Sequence, residues 1–322
     1  MEHTTLGRTG LKVSVAGLGC GGSSRLGLGT GHSEAHATDI VRRALDLGVN
    51  FIDTAQYYGT EAAVGAAIHG RARDSVIIST KHKVSLRDGT RFSVAEILAG
   101  LDRSLRALGT DHVDVFCLHT VIPDEYDRVL AEVVPVLLRE RDKGKFRFLG
   151  ITEFAMSDPR HDMLARALAE DCFDVMMVAF HMLNQNARQR VFPATRTKNI
   201  GTLLMFAVRS IFSVPGRLRD DITELAVAGR VPKWLAEKKQ PLEFLLHGQG
   251  GAKNIIEAAY RYARHEPGAH VVLFGTGNPD HLAPNIRAIL QPPLPEADRQ
   301  KLEELFGTLE GVGLDEAGPL RS

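Results

Sequence analysis

Eight short apolar runs, separated by helix-like stretches, constrain this fold more than any other feature of the chain. They fall near 13–19, 49–53, 75–80, 113–118, 146–151, 173–179, 201–207 and 269–274, and nearly all are continuous rather than alternating in polarity. A strand with one wet face alternates apolar and polar residues; a continuous run is what a strand covered on both faces requires. The segments between carry helix signals. Ser33 is placed to cap a helix that stops at Gly48. Ser93-Val94-Ala95-Glu96 is a capping-box pattern opening a helix that ends at Gly109. Further helices are expected near 60–70, 125–143 (kinked by Pro135), 159–171, 185–199, 252–265 and 279–290, the last closing the series. The stretch 209–250 reads as long and irregular, with helical pieces of its own. Eight βα units in one series, with no linker, predict a single domain over 1–322: a (β/α)8 barrel (TIM barrel). Thr4–Val15, around Arg8-Thr9-Gly10, suits an N-terminal β-hairpin, and Glu310–Ser322 reads as a loose tail.

Charge narrows the choice of partner. The 39 basic and 39 acidic side chains cancel, so no net field favours nucleic acid or an anionic membrane. The N-terminus lacks the apolar core of a secretory signal, and no run approaches the length of a membrane span. Cys20, Cys117 and Cys172 are odd in number, far apart and without metal-ligand spacing, as expected of reduced cysteines in a cytoplasmic protein.

Three local patterns invite over-reading. Gly17–Gly22 matches G-x-G-x-x-G, but a dinucleotide fingerprint must open a helix, and here Gly27, Gly29 and Gly31 follow first. A loop whose backbone approaches a ligand at the barrel mouth fits better. His32 and His36 have the i, i+4 spacing of a metal pair without the accompanying carboxylate, so a solvated helix start is expected. His247–Lys253 resembles a phosphate loop without its Gly-Lys-Ser/Thr ending and reads as a turn.

Three consecutive strands end in chemistry. FIDTAQYYG carries Asp53 and Tyr58, Val76–Thr80 runs into Lys81, and Val113–Leu118 runs into His119. In a barrel these ends share one face, the face on which active sites sit. A free tyrosine is a poor acid at neutral pH; a buried ammonium beside it stabilises the phenolate. Lys81 would need a counter-charge, which Asp53 offers, and His119 would hydrogen-bond a substrate oxygen.

With these residues in place the chain resembles an aldo-keto reductase. The likeness runs through LGRTGLKVS, GLGCG, ALDLGVNFIDTAQYYG, STK, VDVFCLH, GKFRFLGI and GTGNPDHLAPNI, nearly the whole length. The resemblance implies that Asp53, Tyr58, Lys81 and His119 form a catalytic tetrad, with NADPH, or less often NADH, lying across the barrel mouth. It implies a cofactor site of Gly19, Cys20, Asp53, Thr152, Glu153, Met177, Phe206, Arg209, Gly275, Thr276, Gly277, Asn278, His281 and Asn285, and no metal. Thr152 and Glu153 stand where the family commonly has Ser and Asn holding the nicotinamide amide, Met177 where a Gln helps, and Phe206 where a Tyr stacks. Gly275 and His281 replace a Lys and an Arg of some relatives, weakening any grip on a 2′-phosphate.

The expected activity is hydride transfer between nicotinamide and a small aldehyde, ketone or corresponding alcohol, with Tyr58 as general acid/base. A regulatory nucleotide-binding protein on the same barrel, or an epimerase or lyase retaining its nucleotide, are the alternatives. Substrate choice would rest on loops 20–32, 84–92, 119–128 and 209–250. Phe116, Trp234 and Tyr57 read as packing residues that are also candidates to line a pocket.

Overall fold

The eight runs pair side by side into a closed parallel barrel in the computed structural model, which describes residues 1–314. The N-terminal hairpin is β1 (His3–Thr5) and β2 (Lys12–Ser14), antiparallel and joined through a 3-10 turn at Gly7–Thr9. The barrel strands are β3 (Ala16–Gly19), β4 (Phe51–Asp53), β5 (Ile77–Lys83), β6 (Val113–Val121), β7 (Phe146–Glu153), β8 (Val175–Ala179), β9 (Gly201–Met205) and β10 (Val271–Phe274), with β10 closing onto β3.

Period-two alternation sorts the apolar runs into two layers. Phe51, Ile77, Val115, Cys117, Val175, Met177, Leu203 and Val271 fill the barrel interior. Their neighbours Ile52, Ile78, Phe116, Leu118, Met176 and Leu204 pack in the larger layer with the surrounding helices. Leu6, Leu11 and Val13 join the interior group, so the hairpin plugs the N-terminal end. Gly7 makes that seat: at φ +50° it lies so close to β9 that a Cβ would come within 2.4 Å of the Gly201 nitrogen.

Several boundaries differ from expectation, for physical reasons. The strands β5 and β6 run on past the apolar residues, to Lys83 and Val121, because the ladder between them continues through Lys83 and His119. Lys81 and His119 therefore sit within strands rather than beyond them. Ahead of Pro135 the helix loosens into a π turn at Val129–Val133, between helices Tyr126–Arg128 and Val134–Asp142, which accommodates the missing proline N–H. The helix expected near 159–171 spans only Asp162–Ala167, and the 185–199 stretch divides into Ala187–Arg190 and Phe192–Thr197, with Pro193 in the first turn of the second.

The series does not close near 290. A further helix, Glu296–Phe306, follows Pro295, with acidic residues in its first turn and Leu302 and Phe306 buried. Glu310–Leu314 forms no regular element but is not loose: Val312 and Leu314 are buried, and Leu314 packs with Ala155 and Ala179 beside Met205 and Phe206 at the barrel mouth. The rest of that expected tail lies outside the described residues. Among the described residues no helix is long and apolar enough to cross a membrane.

Candidate active site

Alternation along the strands decides which polar groups meet. On β5, Ile77, Ser79, Lys81 and Lys83 share the inward face; on β6, Val115, Cys117 and His119 do; on β4, Phe51 and Asp53 do. The parallel register sets Asp53 beside Ser79, Lys81 beside Cys117 and Lys83 beside His119. Three of the residues named from sequence, Asp53, Lys81 and His119, are thereby brought together at the C-terminal end of the barrel.

Lys81 is fully buried, and its Nζ donates to Asp53 Oδ2 at 2.7 Å and to the Thr54 carbonyl at 2.8 Å. Ser79 Oγ donates to the other Asp53 oxygen at 2.9 Å. Burial pulls this pair toward neutrality, but the short contact to Asp53 prevails and the Lys81 ammonium is held above its ordinary pKa. Tyr58 follows from the 3-10 turn Gln56–Tyr58, closed by Gly59 at φ +70°. The Lys81 Nζ lies 4.9 Å from the centre of the Tyr58 ring. Burial raises the phenol's pKa, outweighing the opposite pull of Lys81, so Tyr58 holds its proton.

His119 is placed by an irregularity. The β6–β7 register shifts between Leu118 and Val121, and Thr120 takes φ +54°. The Thr120 N–H is caught by Thr152 Oγ1 at 2.8 Å. His119 Nε2 then stands 3.4 Å from the Tyr58 hydroxyl. Burial first, then the charges of Lys81 and Lys83, keep the imidazole well below its ordinary pKa and neutral. Its Nδ1 is buried without a hydrogen-bond partner. A bare lone pair there costs less than an unmet N–H, which favours the tautomer with hydrogen on Nε2.

A cleft of about 1720 Å³ leads away from Tyr58 and Asp53. Gly19, Met177, Phe206, Arg209, Gly275, Thr276, Gly277, Asn278, His281 and Asn285 all line it. Phe206 leaves β9 at φ +72°, and the Arg209 guanidinium lies over its ring at 4.1 Å. Cys20 is fully buried and does not reach the cleft; burial and the Asp53 charge push its thiol up and leave it inert. Phe116 packs against Phe146 in the outer layer, not in a pocket, whereas Tyr57 is 65% exposed.

Glu153 differs most from its expected position. It points away from the barrel axis, with Oε1 accepting the Ala179 N–H at 2.8 Å and Oε2 bound to His161 Nδ1 at 2.7 Å. His161 Nε2 meets Asn186 Oδ1 at 2.9 Å. Both carboxylate oxygens are thus engaged within the protein, tying β7 to β8, rather than free to accept from a nicotinamide amide. Thr152, by contrast, keeps its hydroxyl hydrogen to donate after accepting from Thr120. The alternation along β7, with Gly150 and Thr152 inward, was the signal that Glu153 faces out.

Sequence reasoning missed other parts of the site. The backbone of Gly21 lies against the Tyr58 ring. His36, read as a solvated helix start, holds the cofactor-side loop: its Nε2 meets the Gly277 carbonyl at 2.8 Å, and its ring stacks on His32 at 4.2 Å. Ser24 and Arg217 also line the cleft.

The barrel mouth thus sets a tyrosine, a buried lysine–aspartate pair and a neutral histidine at the head of a large cleft. Comparison with known proteins gives the family. Residues 18–306 match the profile of the Aldo/keto reductase family, and the chain belongs to it. It is 27% identical to L-galactose dehydrogenase of Arabidopsis thaliana over 318 residues, covering 97% of this chain and 95% of that one. It is 29% identical to the aldo-keto reductase YhdN of Bacillus subtilis over 304 residues, covering 88% and 87%. The fold matches the holo form of aldo-keto reductase AKR11C1 from Bacillus halodurans with a TM-score of 0.72 at 22% identity, over 99% of this chain and 97% of that one. Members of the family are NAD(P)H-dependent oxidoreductases acting on small carbonyl compounds.

Proposed function

We propose that this protein reduces an aldehyde or ketone, or oxidises the corresponding alcohol, with Tyr58 as the acid/base, Lys81 and Asp53 as its electrostatic support, and His119 as the group that orients the carbonyl. The observation that carries this reading is the Tyr58 hydroxyl placed 3.4 Å from His119 Nε2, with the Lys81 ammonium 4.9 Å from the centre of the tyrosine ring.

A nicotinamide dinucleotide is the ligand of this reading, supported by the size of the cleft: at about 1720 Å³ it exceeds the roughly 300–1,000 Å³ of ordinary small-ligand pockets. Thr152 would donate to the nicotinamide amide, Phe206 and Met177 would pack on the ring, and Arg209 would approach the pyrophosphate. The 275–285 segment would hold the adenosine end. NADPH is the nucleotide of this reading, with NADH a close second. The nicotinamide, when bound, supplies the hydride.

The remaining chemistry belongs to the chain. In reduction the carbonyl oxygen gains negative charge as its carbon is reduced, and the Tyr58 hydroxyl hands it a proton. Retention of that proton in the resting site suits an acid, and the phenolate left behind is stabilised by Lys81. His119, neutral and donating through Nε2, supports the same oxygen without competing for its proton. Asp53 keeps Lys81 charged in a buried position. The test is consumption of NADPH against a panel of aldehydes by wild type and Tyr58→Phe, with one nucleotide consumed per carbonyl reduced by wild type alone. A panel turned over equally by both proteins would overturn the reading.

A further inference from the structure

One charged group at the mouth acts on this chemistry only through its field at His119, and touches none of the reacting atoms. Lys83 lies two residues beyond Lys81 on the same inward face of β5, about 6.6 Å further toward solvent at the usual rise per residue. Its register partner across the ladder is His119. It is half-buried, and its Nζ sits 3.5 Å from the centre of the Tyr57 ring. Tyr57 adjoins Tyr58 in the same 3-10 turn, so the ammonium stands over the outer side of the turn that carries the phenol.

Two other lysines of the barrel have carboxylate partners: Lys81 has Asp53, and Lys145 has Asp102 and Glu140. Among the described residues none lies within ion-pair distance of Lys83. Its charged neighbour is another cation, Arg87, whose guanidinium lies over the Phe154 ring at 5.4 Å. Burial and Arg87 both lower the Lys83 pKa, so its surroundings exert a cost on this charge. The aromatic face of Tyr57 offsets part of that cost. A lysine held beside the reacting groups on such terms is placed to meet an anion.

We propose that Lys83 is an anion-recognition point for the substrate, and that the preferred carbonyl compound carries a carboxylate or a phosphate. The proposal rests on the carbonyl-reduction reading above. The carbonyl oxygen is taken between Tyr58 and His119, and the anionic end turns outward to the ammonium. A charge-assisted hydrogen bond to Lys83 then selects charged over neutral substrates.

The experiment compares matched pairs: 4-carboxybenzaldehyde with 4-nitrobenzaldehyde, and glyceraldehyde 3-phosphate with glyceraldehyde. Wild type is expected to favour the charged member of at least one pair in kcat/KM. Lys83→Met should lose that advantage by roughly tenfold or more, mainly through KM, while any change reaching the reaction through His119 falls on charged and neutral members alike and cancels in their ratio. Lys83→Arg should restore most of it. The pair with the larger loss tells carboxylate from phosphate. Equal effects on charged and neutral members, or a wild type that favours neutral ones, would overturn the proposal.

A binding measurement separates this from the reading beneath it. Wild type and Lys83→Met, each saturated with NADP⁺, are titrated with benzoate, inorganic phosphate and the neutral benzamide. Binding of either anion that weakens only in the variant upholds the site even if no carbonyl is turned over, in which case the reductase reading fails alone. Anion binding that is absent, or indifferent to Lys83, rejects the site.

Discussion

A Cβ on Gly21 would come within 2.6 Å of Tyr58 Cζ, so the phenol is held in place by the absence of a side chain in the loop after β3. The ring is otherwise bounded by Lys81 and by His119, whose ring stands edge-on to it at 5.5 Å. An added methyl must displace the ring or the loop. Gly21→Ala is therefore expected to fold normally and to lower kcat by roughly tenfold or more, since small misplacements of a reacting group are costly. Nucleotide titration and circular dichroism establish integrity, and steady-state kinetics gives the loss. Wild-type kcat in this variant would show that Tyr58 is not confined by the loop.

Tyr58→Phe removes the proton donor and little else. Its expected loss is about 10²–10⁴-fold in kcat, with nucleotide affinity nearly unchanged, because the hydroxyl acts mainly in the transition state. Lys81→Met should also collapse the rate at neutral pH, but with a second sign. Removing the ammonium leaves Asp53 buried without its partner, so this variant should lose stability to urea as well. A Lys81→Met protein of wild-type stability would show that Asp53 is satisfied by other groups.

The buried Glu153–His161 pair gives a pH dependence. Burial lowers the His161 pKa, but Glu153 and Asn186 more than offset this, and the net direction is upward from 6.5. A group whose folded pKa is raised contributes stability that is fully present below its unfolded pKa and is lost as pH rises through the folded one. The advantage of wild type over Glu153→Gln should accordingly be largest near pH 6 and shrink through the range above 6.5. Urea titrations of both proteins at pH 6 and pH 9 measure it. A difference that stays constant or grows with pH would mean that His161 is neutral in the folded protein.

The barrel and the four residues at its mouth were legible because both follow from local pattern. Continuous apolar runs identify strands buried on two faces, and the polar residues that interrupt them, Asp53, Lys81 and His119, mark one end of the barrel. What was not legible depended on contacts distant in sequence. Glu153 was read by its place beside Thr152, yet its partners are Ala179 and His161, eight and more residues away. His36 resembled a wet helix start because its acceptor, the Gly277 carbonyl, lies 241 positions along the chain. Lys83 was passed over because the apolar run ended at Thr80, while the ladder with β6 went on to Lys83 itself. The helix Glu296–Phe306 was the exception: Pro295, its acidic first turn and its buried Leu302 and Phe306 were all readable locally.

The adenosine end of the cleft shows where nucleotide choice is open to change. Gly275 offers no side chain, and a Cβ there would press on the Gly19 carbonyl at 3.1 Å, so a larger residue is poorly accommodated. Thr276 and Asn278 spend their hydrogen bonds on the loop itself: Thr276 Oγ1 donates to the Asn278 carbonyl at 3.0 Å and accepts the Asn278 N–H at 2.9 Å. Asn278 Oδ1 accepts the Asp280 N–H at 2.9 Å. His281 is exposed and lines the cleft, with Nε2 3.4 Å from the Asn278 amide nitrogen. A 2′-phosphate placed here would meet neutral donors rather than a fixed cation, so the preference for NADPH over NADH should be modest. His281→Arg adds a planar, always charged donor at an exposed position that borders the cleft. It should tighten NADPH by roughly 1.5–3 kcal/mol, the range for a hydrogen bond to a charged group, and leave NADH within about twofold. Fluorescence titration of both proteins with both nucleotides checks this. A strong NADPH preference already present in wild type would place the phosphate against a different cation of the cleft, with Arg217 and Arg287 the first to substitute.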